Sequence, residues 1–414
     1  MTPNKKIVIV GGGTSFKVDS HLSLVSPAYG LVAKQLTDRF GMATQKMDVA
    51  LWLTKMAYPS STLDTYDDLA ALCDEIIADP LTKIVIWAPA VVDFSLHLST
   101  PMETLPYRDG RIPSNAAWDA TLEPLPKLID KIRAKRKDIF LVGFKQTDGA
   151  VPDQQYAAGL AMLKRASCNL VVANDKTTRL NMIVTPEEST YAVTTSRGEM
   201  LGELVDMCLM RSHLTFTRST VVAGELVPWK SDLVPSTLRD VVDYCRQYGA
   251  YKEFNGATVG HFAAKLSENV FLTSQRKTNF NDIDKIGLVR VETDGPDNVI
   301  AYGAKPSVGG QSQRLVFAEH PELDCIVHFH CEKRKDSLVP TVSQREFECG
   351  SHECGQNTST GLQQFGDLWA VYLDNHGPNI VFSSKIDAGT VVDFINKNFD
   401  LNTKTGGFQL PAKA

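Results

Sequence analysis

The first half of this chain is constrained most by a rhythm: short apolar runs, each followed by a stretch of helical length. Residues 6–10, 83–94, 139–144 and 170–175 are nearly continuous in β-branched and other apolar side chains, the pattern of strands buried on both faces. Between and after them, residues 27–40, 65–78, 125–135, 154–166 and 198–210 carry helical spacing, with Leu69, Leu72, Ile76 and Ile77 forming one apolar stripe. Residues 181–184 and 191–194 add two further strands. Strands separated by helices need crossover connections, so the expectation is an α/β fold built on a mainly parallel, Rossmann-like sheet.

At 414 residues the chain exceeds one ordinary core, and at roughly 150 residues per domain it divides in two. The rhythm fails between residues 211 and 230, where Arg218-Ser219-Thr220, Gly224 and Pro228-Trp229 mark a junction. The expected boundaries are a domain at 1–213, a linker at 214–232 and a domain at 233–414. The second domain opens on a helix near Ser236, with Leu238, Val241, Val242 and Cys245 on one face. It continues mostly as strands, with another helix near 312–318.

A formal charge of −5 and a pI near 6.0 give no electrostatic footprint for nucleic acid or an anionic membrane. No apolar run approaches the roughly 18 residues of a membrane span. The eight cysteines are scattered, and Lys5-Lys6 leads only into the short run 7–10, which does not read as a secretory signal. A reduced, cytoplasmic protein acting on a small molecule is the expectation.

Chemistry is written most plainly at Cys325-Ile326-Val327-His328-Phe329-His330-Cys331. On a strand, His328 and His330 share a face while Phe329 points away. A third imidazole, His376 in Asn375-His376-Gly377, follows the apolar run 368–373. Three histidines on one ion leave a position open for substrate, which suits Zn²⁺ or another divalent metal. Cys325 and Cys331 fall on the opposite face and read as packing residues. Cys349 and Cys354 do not have zinc-knuckle spacing and read as part of a polar loop. In the first domain, Gly11-Gly12-Gly13-Thr14 between a strand and a helix forms a possible phosphate-cradling turn, although Phe16 breaks the dinucleotide pattern. Asp93 ends an apolar strand, where open α/β sheets bind ligands. The irregular region 95–122 has the length of a lid.

These segments resemble known families. Gly11 to Thr14 with Val18-Asp19, Ala88 to Phe94, Gly110-Arg111-Ile112-Pro113-Ser114, Val142 to Asp148 and Val171 to Asp175 stand in the order seen in phosphopantothenoylcysteine synthetases, over residues 4–212. The resemblance implies CTP or ATP with Mg²⁺ activating a carboxylate for attack by an amine. By it, Gly11, Gly12, Gly13, Thr14, Phe144, Lys145 and Asn174 would hold the nucleotide. Ala90 and Asp93 would lie by the acid and Ser114 would bind nucleotide or substrate, with Asp93, Arg111 and Lys145 in catalytic roles. Two departures stand out. Residues 24–30 lack the family's asparagine and lysine, and Arg111 replaces a usual lysine.

Residues 234–400 resemble the class II aldolase/adducin family, through Gly260 to Lys265, Phe271-Leu272-Thr273, Asp284, Lys305-Pro306-Ser307, His328, His330 and Asn375-His376-Gly377. That implies a mostly antiparallel α/β domain, a divalent metal on the three histidines, and substrate contact at Ser307. The family's acid, nineteen places before the first histidine, falls here on Gly309. A base would come from elsewhere, with Glu332, Glu346, Glu348 and Glu353 as candidates. The two resemblances together imply a ligase-like domain fused to a metal-dependent one, assembled as a homodimer or homotetramer. A metal-dependent lyase, epimerase or dehydratase with a regulatory first domain is the second reading. A non-catalytic metal- and nucleotide-binding protein is the third.

Overall fold

A computed structural model describes residues 4–98, 112 and 117–410, with backbone alone at 308–312. The chain forms two compact units. One holds residues 1–150, 158–184 and 191–212, and the other 151–157, 185–190 and 213–414.

In the first unit five strands run parallel, in the spatial order Met47–Leu53, Lys5–Lys17, Thr82–Ala90, Phe140–Thr147 and Leu170–Asp175. Asn181–Val184 extends the last edge antiparallel, and Thr190–Thr194 follows it. Ile7 and Ile9 point to one face and Val8 and Val10 to the other, yet all four are buried, as a sheet covered on both sides requires. Ile7, Ile9, Ile84 and Ile86 meet Leu36 and Phe40 from the helix Leu31–Ala43, and Leu201 and Leu204 from Arg197–Arg211. The helix Tyr66–Ala78 starts at a capping box in which Thr65 accepts from the Asp68 amide and the Asp68 carboxylate accepts from Thr65. Numbered along the chain, the parallel strands have the order 2-1-3-4-5. The order reverses between Lys5–Lys17 and Thr82–Ala90, where such sheets open a crevice at their C-terminal edge.

Three expectations change here. The glycines 11–13 do not turn: the strand runs on to Lys17, and its far end pairs antiparallel with Ser23–Ser26. The following helix begins at Leu31, because Gly30 at φ 68° ends the connection in a left-handed conformation. The region 95–122 contains strand Phe94–Leu98 paired with Ala120–Pro124; most of the residues between lie outside those described.

The second unit is built on a ten-stranded sheet, antiparallel except where Arg218–Val222 joins Asn298–Tyr302 and where Thr341–Val342 joins Leu368–Leu373. Strand alternation divides its core. Phe262, Ala264, Val327 and Ile380 pack with Leu238, Val241 and Ile395 from helices Ser236–Gln247 and Ala388–Asn398. Ala263, Ile326 and Val381 pack on the other side with Val316 and Phe317 of Val308–Glu319 and Cys354 of His352–Gly361. The stretch 214–232, read as a linker, thus contributes a strand to this sheet. Its Arg-Ser-Thr-Val-Val sequence is too polar at one end to announce an edge strand. No described helix is long and apolar enough to cross a membrane.

Candidate functional site

Strand Cys325–His328 sits between His261–Ser267 and Gly377–Phe382, with His328 opposite both His261 and Asn379. The strand ends at His328, so His330 is carried on the extended segment just beyond it. Cys325, Val327, Phe329 and Cys331 all enter one apolar cluster, the packing role expected of the two cysteines, while His328 and His330 face the other way. His376 reaches them from the turn joining Leu368–Leu373 to Gly377–Phe382, where Asn375 is left-handed at φ 57° and Gly377 lies at φ 127°. A Cβ on Gly377 would stand 2.2 Å from the Phe329 carbonyl oxygen. Only glycine lets this turn close on the strand and set His376 beside His330.

The three rings are buried, with centroids 4.5–5.1 Å apart and ligand nitrogens within 4.8 Å of one another. His328 Nδ1 donates to the Pro378 carbonyl at 2.8 Å, leaving Nε2 with its lone pair, and Nε2 faces His376 Nε2 at 3.2 Å. Burial pushes the His328 ring down to about 4, opposed in part by its bond to Pro378, so the ring is neutral at physiological pH. Two nitrogens bound about 2.05 Å from a tetrahedral zinc stand roughly 3.3 Å apart, so this pair fits one divalent ion. His261 lies tilted against His328 with centroids 4.7 Å apart. Burial, followed by the neighbouring His328, holds it well below the ordinary histidine range. A cavity opens beside His376, lined by His261, Gln313, Cys349, Cys354, Thr358 and Asn379.

The glutamates considered as replacement bases have other work. Glu353 accepts from the Thr215 amide and hydroxyl, Glu346 from the Ser343 hydroxyl, and Glu332 from Tyr372 at 3.1 Å. Glu348 is buried outside the histidine group. Gly309 lies in the first turn of Val308–Glu319, and Ser307 precedes that helix with its amide on the Ser274 carbonyl. The carboxylate that does approach the histidines is Glu188, whose Oε2 lies 4.0 Å from His330 Nδ1 and 3.7 Å from Lys404 Nζ. Neither Glu188 nor Lys404 stands in any local pattern, so sequence reasoning had no signal for them.

At the sheet reversal of the first unit, Gly11, Gly12 and Gly13 lie opposite Ala88, Pro89 and Ala90. Thr14 Oγ1 donates to the Ala90 carbonyl and accepts from the Val92 amide at 2.8 Å, which brings Thr14 and Ala90 together. The glycines serve packing: a Cβ on Gly11 would meet Ala33 Cβ at 2.4 Å and one on Gly12 would meet Thr54 Oγ1 at 2.1 Å. Asp93 is half exposed and ion-paired with Lys127. Phe144 and Lys145 lie on Phe140–Thr147 with Lys145 exposed, and Asn174 pairs opposite Gln146 on Leu170–Asp175. Arg111 and Ser114 lie outside the described residues. Asp175 binds both loops at this edge, accepting from Thr147 Oγ1 and from the Gly149, Ala150, Thr177 and Thr178 amides. Led by the Thr178 amide, these donors hold its carboxyl well below the usual range.

Residues 239–334 match the family model of the Class II Aldolase and Adducin N-terminal domain, a span containing His261, His328 and His330. The chain is also 25% identical over 175 residues to the Coenzyme A biosynthesis bifunctional protein CoaBC of Thermococcus kodakarensis. The chain is thus similar over one part to a class II aldolase/adducin domain and over another to CoaBC. The CoaBC match takes in 41% of this chain and 41% of that relative's length. Among solved structures, the DNA/Pantothenate Metabolism Flavoprotein from Streptococcus pneumoniae is 22% identical. It covers 50% of this chain and 96% of its own, with a TM-score of 0.40. An L-fuculose 1-phosphate aldolase is 16% identical over 40% of this chain and 85% of its own, with a TM-score of 0.30.

Proposed function

We propose that the chain is a two-domain enzyme whose second unit holds a divalent metal on His328, His330 and His376 and acts on a small phosphorylated or carboxylated carbonyl compound. The convergence of three buried imidazoles, with two Nε2 atoms 3.2 Å apart, carries this reading. A bound divalent ion would polarise a substrate carbonyl or enediolate oxygen. The chain's own contribution is orientation: Pro378 fixes the His328 tautomer, Gly377 and Asn375 fix the turn bearing His376, and a small cavity adjoins His376. With glycine at 309, proton transfer at the substrate falls to a residue other than the family's acid.

For the first unit we infer binding of CTP or ATP with Mg²⁺ and activation of a carboxylate for an amine. The chain's similarity to CoaBC and the place of Thr14 and Ala90 at the sheet reversal support it.

Two assays test the pair of assignments. Carbonyl substrates should be turned over in a chelator-sensitive way, restored by added Zn²⁺ or Co²⁺. Pyrophosphate release should require a carboxylic acid, an amine and a nucleotide together. A chelator-insensitive reaction would remove the first assignment. Absence of thermal stabilisation by either nucleotide with Mg²⁺ would remove the second.

A further inference from the structure

Resting on the metal reading above, the geometry points to Glu188 as a positioning residue of that centre: its carboxylate faces His330 Nδ1, fixes that ring and its tautomer, and is itself held by Lys404.

Glu188 is fully buried and the Lys404 side chain is 2% exposed, so this is an interior ion pair. Interior pairs gain little over an apolar couple, because desolvation offsets their attraction. A pair at this place therefore has a use other than stability. The backbone makes the same point, since Glu188 adopts φ 66°, a left-handed conformation unusual for a residue with a side chain.

The surroundings hold that conformation in place. The Glu188 amide donates to Thr185 O at 3.0 Å, closing a tight turn, and Tyr156 OH donates to the Glu188 carbonyl at 2.8 Å. Lys404 Nζ donates to Tyr156 OH at 2.8 Å and to the Glu188 carbonyl at 3.3 Å, while standing 3.7 Å from the carboxylate. The turn is then tied to the metal-centre turn, for Ser189 Oγ donates to the Asn375 carbonyl at 2.6 Å. Thr405 closes the frame, its amide on His330 O and its hydroxyl on His376 O.

The chemistry parallels that of His328. There a carbonyl takes the Nδ1 proton and leaves Nε2 for a ligand. At His330 a carboxylate lies 4.0 Å from Nδ1, which favours the tautomer protonated on that nitrogen and leaves Nε2 as the donor. A carboxylate behind a ligating imidazole also makes it a stronger base toward the metal.

The test uses the full chain, freed of metal by chelation and titrated with Co²⁺, whose visible bands report ligand number and geometry. Glu188→Gln is expected to weaken Co²⁺ binding about 10- to 100-fold and to alter the bands, with Glu188→Asp recovering part of the loss. Should the lone Lys404 charge unfold Glu188→Gln, the neutral pair Glu188→Gln with Lys404→Met removes the carboxylate without leaving that charge, and the same loss is expected. Wild-type affinity and wild-type bands in a folded Glu188→Gln or double variant overturn the inference, as does failure of both to fold, which would make the pair scaffold. A wild-type chain that takes up no Co²⁺ overturns the metal reading itself. Uptake that is abolished by His328→Ala but unaffected by the Glu188 variants overturns only the role given to Glu188.

Discussion

His328 and His376 face each other Nε2 to Nε2 at 3.2 Å, although 48 residues separate them along the chain. Two neutral imidazoles can share only one proton at such a contact, whereas a divalent ion accepts both lone pairs. The separation fits a ligand pair on one ion as well as a single hydrogen bond, and the third buried imidazole, His330, favours the ion. The geometry follows from backbone features that substitutions can probe.

Gly377→Ala should damage the centre without touching a ligand. An added Cβ meets the Phe329 carbonyl oxygen at 2.2 Å, and φ 127° is closed to alanine. We expect a loss of about 2–3 kcal/mol in stability together with at least tenfold weaker metal binding. Denaturant unfolding alongside a metal titration checks both.

Acid should destabilise the metal-free chain in a defined window. Burial holds His328 at about 4, against an ordinary value near 6.5 for the unfolded chain, and His261 is displaced in the same sense. Between those limits the unfolded state binds more protons, so stability rises with pH and falls as pH drops from about 6.5 toward 4. The contribution from His328 is on the order of 3 kcal/mol. Urea midpoints measured with chelator at pH 7 and pH 5 should differ by more than in His328→Phe.

Thr14→Val keeps shape and removes a hydroxyl that serves both Ala90 and Val92 at the sheet reversal. A buried amide left without its acceptor costs about 1–3 kcal/mol. We expect a lower unfolding midpoint for the first unit and a smaller thermal shift with nucleotide.

At the same edge, Asp175→Asn should loosen the loops after Phe140–Thr147 and Leu170–Asp175, since an amide oxygen accepts these donors less strongly. The lowered carboxyl means that the Asp175 contribution is present above the unfolded carboxylate range, near 4, and is lost as pH falls through the folded value. Hydrogen exchange at Gly149, Ala150, Thr177 and Thr178 should accelerate in the variant at neutral pH.

Much of this architecture was legible in the sequence because the parallel strands are buried on both faces. Ile7 to Val10 and Ile84 to Ile86 therefore appear as unbroken apolar runs. The histidine group was legible for a similar reason, with i and i+2 positions beside a strand and a third imidazole in a turn that required glycine. The glycines 11–13 misled, because glycine suits a turn and a crowded strand equally. Contacts at Ala33 and Thr54, remote in sequence, decide for the strand. Glu188 and Lys404, 216 positions apart, left no local trace, since a turn acid and a lone lysine are ordinary surface residues until tertiary structure buries them. The strand Arg218–Val222 escaped notice because an edge strand can be polar.

Elemental analysis of the purified chain, with His328→Ala and His376→Ala beside it, decides whether the three histidines hold an ion. We expect close to one divalent ion per wild-type chain and a near-complete loss in both variants, with each still folded by circular dichroism. A wild-type chain without stoichiometric metal, or variants that keep the wild-type content, would contradict this expectation.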